Sequence, residues 1–124
     1  MFSHVFVGTN DLARAKSFYD ALFAAVGGPQ GQLDTAKNRV AYVHKGAAFI
    51  VAVPIDGAPA SVANGGTIGF GCASAEQVNA WHAAGLAAGG AACEDPPGER
   101  PGSGLYLAYL RDPDGNKLCA LHRL

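Results

Sequence analysis

Charge is scarce in this 124-residue chain: Asp, Glu, Lys and Arg together make up 15% of it. Nine Lys and Arg against ten Asp and Glu leave a net charge of −1. That balance provides no electrostatic footprint for nucleic acid and no polybasic membrane anchor. It also lacks the excess acidity of a trap for strongly cationic ligands. Cysteine is sparse as well. Cys72, Cys93 and Cys119 are odd in number and have no CxxC spacing, which excludes a disulfide framework and points to reduced thiols. The longest apolar run, Ala47 to Pro54, falls far short of the ~20 residues of a spanning helix. The opening Met1-Phe2-Ser3-His4 has neither the basic region nor the apolar stretch of a signal peptide. A cytoplasmic protein that binds neither membrane nor nucleic acid is therefore expected. Motifs for phosphate cradles, zinc proteases and serine hydrolases are also missing: GxGxxG after a strand, GxxxxGK[ST], HExxH and GxSxG.

What the chain does have is apolar residues, at 49%, and 17 glycines. The first excludes disorder, and the second follows no collagen period. One domain over residues 1–124 is the natural size.

Residues 2–8 (FSHVFVG) are β-branched and aromatic and read as a strand. Asn10 or Asp11 can cap a helix whose apolar positions are Leu12, Ala15, Tyr19, Leu22 and Val26, and Gly27-Gly28-Pro29 stops it. A weak strand is expected near 31–36. Arg39–His44 and Ala47–Val53 read as strands turning at Lys45-Gly46. Pro54–Gly66 reads as a connector. The order then repeats: a strand at Thr67–Cys72, a cap at Ser74, a helix closed by Gly89-Gly90, and a short edge strand near 91–94. Asp95–Gly104 reads as a semi-rigid flap. Leu105–Arg111 and Asn116–His122 form a hairpin through Asp112-Pro113-Asp114-Gly115, a strong turn signal. Aligning His4 with Thr67, an offset of 67 − 4 = 63, pairs strand, cap, helix and double glycine. The chain thus reads as two modules, 1–55 and 65–124.

With HVFVGTNDLARAKSFYDAL at its start, GTIGFGCASAEQVNAWHAAGLAAGG in its middle and YLAYLRDPDGNKLCALH at its end, the chain resembles the vicinal oxygen chelate superfamily. That group holds glyoxalases, extradiol dioxygenases, and fosfomycin- and bleomycin-resistance proteins. The resemblance covers essentially the whole length, and DPDGN is its most specific short motif. It implies an α+β fold of paired βαβββ modules, a concave pocket for a small organic molecule, and a homodimer. Metal-dependent members place one ligand on the first strand of each module and one on the last. Carried over, those positions fall on His4, about Ile50, Thr67 and Cys119. A catalytic divalent site needs at least three protein donors, and only His4, with Cys119 as a softer second, could serve. The resemblance therefore implies a degenerate metal site, with His4 as its one retained ligand.

His4 alternates with Phe2 and Phe6, so all three face one side of their strand. It reads as a pocket acid or base or a lone ligand, and equally as a hydrogen-bonded histidine in an apolar cavity. Cys119 would be a nucleophile only if a base lowered its pKa; otherwise it is a small hydrophobe. Thr67 offers a hydroxyl. Tyr106 and Tyr109 have opposite parity, so one of them, taken as Tyr109, faces the pocket. Tyr42 and Trp81 read as core, His82 as solvated, and His44 and His122 as surface residues. Arg100 in the flap could clamp a carboxylate or phosphate. The expected pocket is lined by Phe2, His4, Phe6, Thr67, Tyr109 and Cys119, with Arg100 at its rim. Two functions follow: a glyoxalase/bleomycin-resistance-like binder of a small organic ligand, or a lyase or dioxygenase-type enzyme. The enzyme would use His4 in a nonstandard metal set, or His4 with Cys119 and no metal.

Overall fold

A computed structural model describes residues 1–124. The first module runs β1 (His4–Gly8), α1 (Leu12–Ala24), β2 (Gln32–Asp34), β3 (Arg39–His44) and β4 (Ala47–Ala52). The second runs β5 (Ile68–Gly71), α2 (Ala75–Ala87), β6 (Ala91–Ala92), β7 (Gly98–Arg100), β8 (Leu105–Arg111) and β9 (Lys117–Arg123). Sheet order is β1-β4-β3-β2 in the first module and β5-β9-β8-β6 in the second. The first strand of each module lies parallel to its last, while the other pairings are antiparallel. The fold is α+β, as the sequence implies.

The flap is a correction. Gly98–Arg100 forms a third antiparallel partner for β8, so this segment is part of the sheet rather than a free loop. Its prolines at 96, 97 and 101 bracket the short ladder, which hid the strand from a reading based on proline and glycine content.

The helices begin where the caps predict. Asp11 accepts from the Arg14 N–H, and Ser74 from the Gln77 N–H. Lys45 and Gly46 both take positive φ, 50° and 84°, which gives the β3–β4 hairpin its tight two-residue turn. Each helix covers its own sheet and the two helices meet, so a single core of 15 buried residues joins both modules. Phe18, Tyr19 and Leu22 on α1 reach this core, as do Val78 and Trp81 on α2. Gly85 lets α2 come close: a Cβ there would sit 2.1 Å from Leu110 Cδ1 and 3.2 Å from Leu22 Cδ1.

Polar groups lock the modules through the β8–β9 turn. Asp112, 4% exposed, accepts the Tyr19 hydroxyl at 2.5 Å and the Asn116 side-chain amide at 2.9 Å. Its other oxygen accepts the backbone N–H groups of Asp114 and Asn116. Asp114 accepts the Thr9 hydroxyl at 2.6 Å, the Asn10 N–H at 2.9 Å and the Arg14 guanidinium at 2.9 Å. Asn116 also donates to the Gly8 carbonyl. Burial first, and the adjoining Asp112 carboxylate second, push the Tyr19 hydroxyl well above its ordinary value, so it remains a donor.

A second set ties α1 to its own sheet. Burial alone would raise the Asp20 carboxyl, but bonds from Lys16 Nζ, the Gly31 N–H and the Tyr42 hydroxyl outweigh it and lower the pKa.

Asp112→Ala is expected to lower unfolding free energy by roughly 3 kcal/mol, because the buried Tyr19 hydroxyl and two backbone donors lose their acceptor. Urea denaturation followed by circular dichroism checks this. Loss below about 1 kcal/mol would mean that the lock contributes little.

Candidate functional site

Two of the concave features bear on function. The larger is a groove of about 550 Å³ between the modules, where β1 and β5, the edge strands of the two sheets, face each other without pairing. Phe2, His4 and Thr67 line it. His4 and Thr67 hold equivalent places at the start of the two modules' first strands, and both are exposed. The floor consists of core aromatics. Phe70 packs edge-on against Phe23 at 5.2 Å and Phe49 at 5.4 Å, and lies 6.4 Å from Trp81. Gly69 and Gly71 line one wall, and a Cβ on either would meet nothing within 4 Å. Their missing side chains leave the groove its width.

The smaller is an open cleft of about 480 Å³ on the second sheet, lined by Glu94, Asp95, Arg100, Leu107 and Tyr109. Lys117 pairs with Glu94 at 2.9 Å and lies 5.1 Å from the Tyr109 ring centroid. Arg100 donates to the carbonyls of Asp95, Pro96 and Gly98, which shape the cleft's rim. Its guanidinium thus helps hold its own loop in place.

The expected single pocket is therefore divided. Phe2, His4 and Thr67 belong to the groove, whereas Tyr109 and Arg100 belong to the cleft. Phe6 lies outside both and is 49% exposed. Cys119 lies opposite Tyr109 across the β8–β9 ladder and is 6% exposed. The reason for the division is topological. His4 and Cys119 belong to different sheets, which make no strand pairing with each other. Parity along a strand settles which face a residue takes, but not whether two sheets turn those faces toward one space.

Several smaller expectations resolve at the same time. Tyr106 takes the helix side, donating to Asn79 on α2, and Tyr109 takes the other. His44 is exposed at the groove. His122 and His82 are both half-buried rather than solvated. A ring nitrogen of His122 lies 3.2 Å from the Cys72 carbonyl, and burial lowers His82 despite its bond to the backbone of Tyr109. The reading of the sequence missed Phe23, Phe49, Phe70 and Trp81 as groove residues, since core periodicity and groove lining look alike along a chain.

The donor set does not fit a divalent metal. β-Sheet register makes Ile50 and Cys119 equivalent, Ile50 beside Phe6 and Cys119 beside Gly69, so the four carried-over positions are His4, Ile50, Thr67 and Cys119. No group of three or more His, Cys, Asp or Glu side chains in the chain could hold an ion. Burial pushes the Cys119 thiol up, although the Tyr109 hydroxyl beside it acts the other way, so Cys119 is a protonated thiol at neutral pH.

Residues 1–120 match the family model described as the Glyoxalase/Bleomycin resistance protein/Dioxygenase superfamily. A glyoxalase/bleomycin resistance protein from Albidiferax ferrireducens T118 is 53% identical over 100% of this chain and 99% of that one, with a TM-score of 0.94. A glyoxalase-related enzyme from Fulvimarina pelagi shares the fold at 19% identity, with a TM-score of 0.76 over 98% and 86% of the two chains. Lactoylglutathione lyase from Agrobacterium tumefaciens does so at 22% identity, with a TM-score of 0.67 over 98% and 92%. No protein of curated function matches the sequence.

Cys119 is expected to resist N-ethylmaleimide at pH 7.5 in the folded protein and to react once urea unfolds it. Peptide mapping by mass spectrometry reads this directly. Rapid labelling of the native protein at Cys119 would contradict the burial described above.

Proposed function

Because this chain belongs to the glyoxalase/bleomycin resistance protein/dioxygenase superfamily, we propose that it binds a small organic molecule and does so without that superfamily's metal. The observation that carries this reading is the 550 Å³ groove, which combines an aromatic floor with a few polar groups at its edge. Sites for small molecules are of this size and character. His4 and Thr67 are placed to orient the ligand, and Phe2 to cover it. The degenerate donor set agrees, since a binder needs no open coordination positions. A lyase or dioxygenase-type enzyme acting through His4 and Cys119 has less support. In one chain the two residues lie on different sheets, and Cys119 is a buried thiol.

The protein works as a homodimer in this reading. Phe6 and Val43 lie on one face of the first sheet, 49% and 60% exposed, Phe6 beside Ile50 and Val43 beside Ala48. An apolar sheet face of this kind is commonly covered by a partner. Sedimentation velocity is expected to show a dimer that Phe6→Asp converts to monomer. A monomeric wild type would remove this part of the reading.

The neutral apolar fluorophore N-phenyl-1-naphthylamine tests the groove. It should brighten on binding, with energy transfer from Trp81, the single tryptophan. Gly69→Phe places a ring in the open space at the wall and is expected to abolish that signal while shifting the thermal midpoint by only a few degrees. Full retention of binding in Gly69→Phe would place the ligand elsewhere.

A further inference from the structure

The groove follows a strand edge. Along β5, seven consecutive residues, Thr67 to Ala73, line it. Side chains alternate between the two faces of a strand, so an unbroken run marks the edge itself as the wall. The backbone at that edge has a defined direction. The Cys72 N–H donates to the Leu121 carbonyl at 2.8 Å, and Gly69 and Gly71 stand beside Cys119 and Leu121 in register. Successive residues of a strand turn their N–H and C=O groups to opposite sides. Ile68, Phe70 and Cys72 therefore face β9, while Gly69 and Gly71 turn both groups toward the groove. Both glycines are exposed, and no turn or loop backbone bonds to them. On the other wall, the Ala48 N–H donates to the Ser3 carbonyl and the Thr9 N–H to that of Ala52. The same alternation turns the His4 N–H and C=O away from β4.

The other free edges of the two sheets are blunted. β2 carries Asp34, β6 has only two residues, and β7 bears Glu99 and Arg100 between prolines. β5, with the sequence IGFG, has neither charge nor proline. An edge left in this state is a template for one more strand. A folded second copy does not supply that strand, because its own unblunted edges, β1 and β5, face each other across its own groove.

We infer that the groove takes a short peptidyl molecule in extended form, which adds to β5 as a strand through the backbone of Gly69 and Gly71. Affinity in this mode comes from main-chain hydrogen bonds, and side-chain pockets add selectivity. The absence of side chains at both glycines leaves the groove-facing N–H and C=O groups uncovered, since a Cβ on either would stand in open space. The aromatic groove residues Phe49 and Phe70 offer apolar surface to a ligand side chain. This inference rests on the groove being the binding site, as proposed above, and adds the chemistry of what enters.

Amide hydrogen exchange, read by NMR on the full-length protein, tests the strand addition directly. The probe is acetyl-Ala-Phe-Ala-amide at millimolar concentration. In the free protein the Gly69 and Gly71 amides should exchange fast, and those of Phe70 and Cys72 slowly. Saturating peptide is expected to slow both glycine amides about tenfold or more, in line with one hydrogen bond each. N-phenyl-1-naphthylamine, which cannot pair as a strand, should leave them fast. The same peptide with all three residue nitrogens methylated keeps its apolar side chains and cannot pair in either orientation. It should bind about tenfold more weakly. Gly71→Pro removes one groove-facing N–H and leaves the bonds to β9 in place, a substitution that edge strands tolerate. It should weaken the peptide about tenfold more than it weakens the fluorophore. The inference is overturned if the peptide binds without slowing both glycine amides, or if the methylated peptide binds as tightly. It is also overturned if the peptide fails to bind while the fluorophore binds, in which case the groove itself stands. Failure of both removes the groove as well. The wild-type measurements decide the matter even if Gly71→Pro folds poorly.

Discussion

Asp112 and Asp114 flank Pro113 in one turn, and through them the second module holds the first. Their four carboxylate oxygens accept from Thr9, Asn10, Arg14 and Tyr19 in the first module, and from the turn's own backbone and Asn116. Buried carboxylates are tolerable only when such donors converge on them. Each module alone would be too small to close a core. The lock and the shared 15-residue core therefore act together: apolar contact joins the helices, and the turn fixes their register. The groove depends on this arrangement, because its walls come from two sheets that make no strand pairing with each other.

Much of the fold could be read along the chain. Asp11 and Ser74 as caps, Lys45-Gly46 as a tight turn and Asp112–Gly115 as a hairpin are local decisions, made by backbone conformation and side-chain reach. The short β7 strand was not legible. Three residues framed by proline carry no periodic signal, and only the presence of β8 gives Gly98–Arg100 a ladder to join. The site was legible in part. The family pattern gave His4 and Thr67 equivalent places in the two modules, and both line the groove. That Tyr109 and Arg100 face a different space from His4 depends on how two sheets are oriented, which no spacing within a strand encodes.

The same limit explains why Trp81 read only as core. It is core by burial, fully enclosed on α2, and at the same time part of the groove's lining. Its helical spacing predicts the first property. The second depends on how the two modules are placed around the groove, which spacing along one helix does not encode. The smaller cleft differs in kind: Lys117 is paired with Glu94 and Arg100 is bound to its own loop, so its polar groups are already satisfied. A ligand there would have to displace existing bonds.

The lock also spans nearly the whole chain, since Thr9 and Asp114 are separated by 105 positions. During synthesis the first helix leaves the ribosome with the Thr9 hydroxyl, the Asn10 N–H and the Tyr19 hydroxyl lacking their acceptors. Those acceptors arrive only with the last hairpin. Until then water satisfies those donors, and the closed structure waits for the last hairpin to be made.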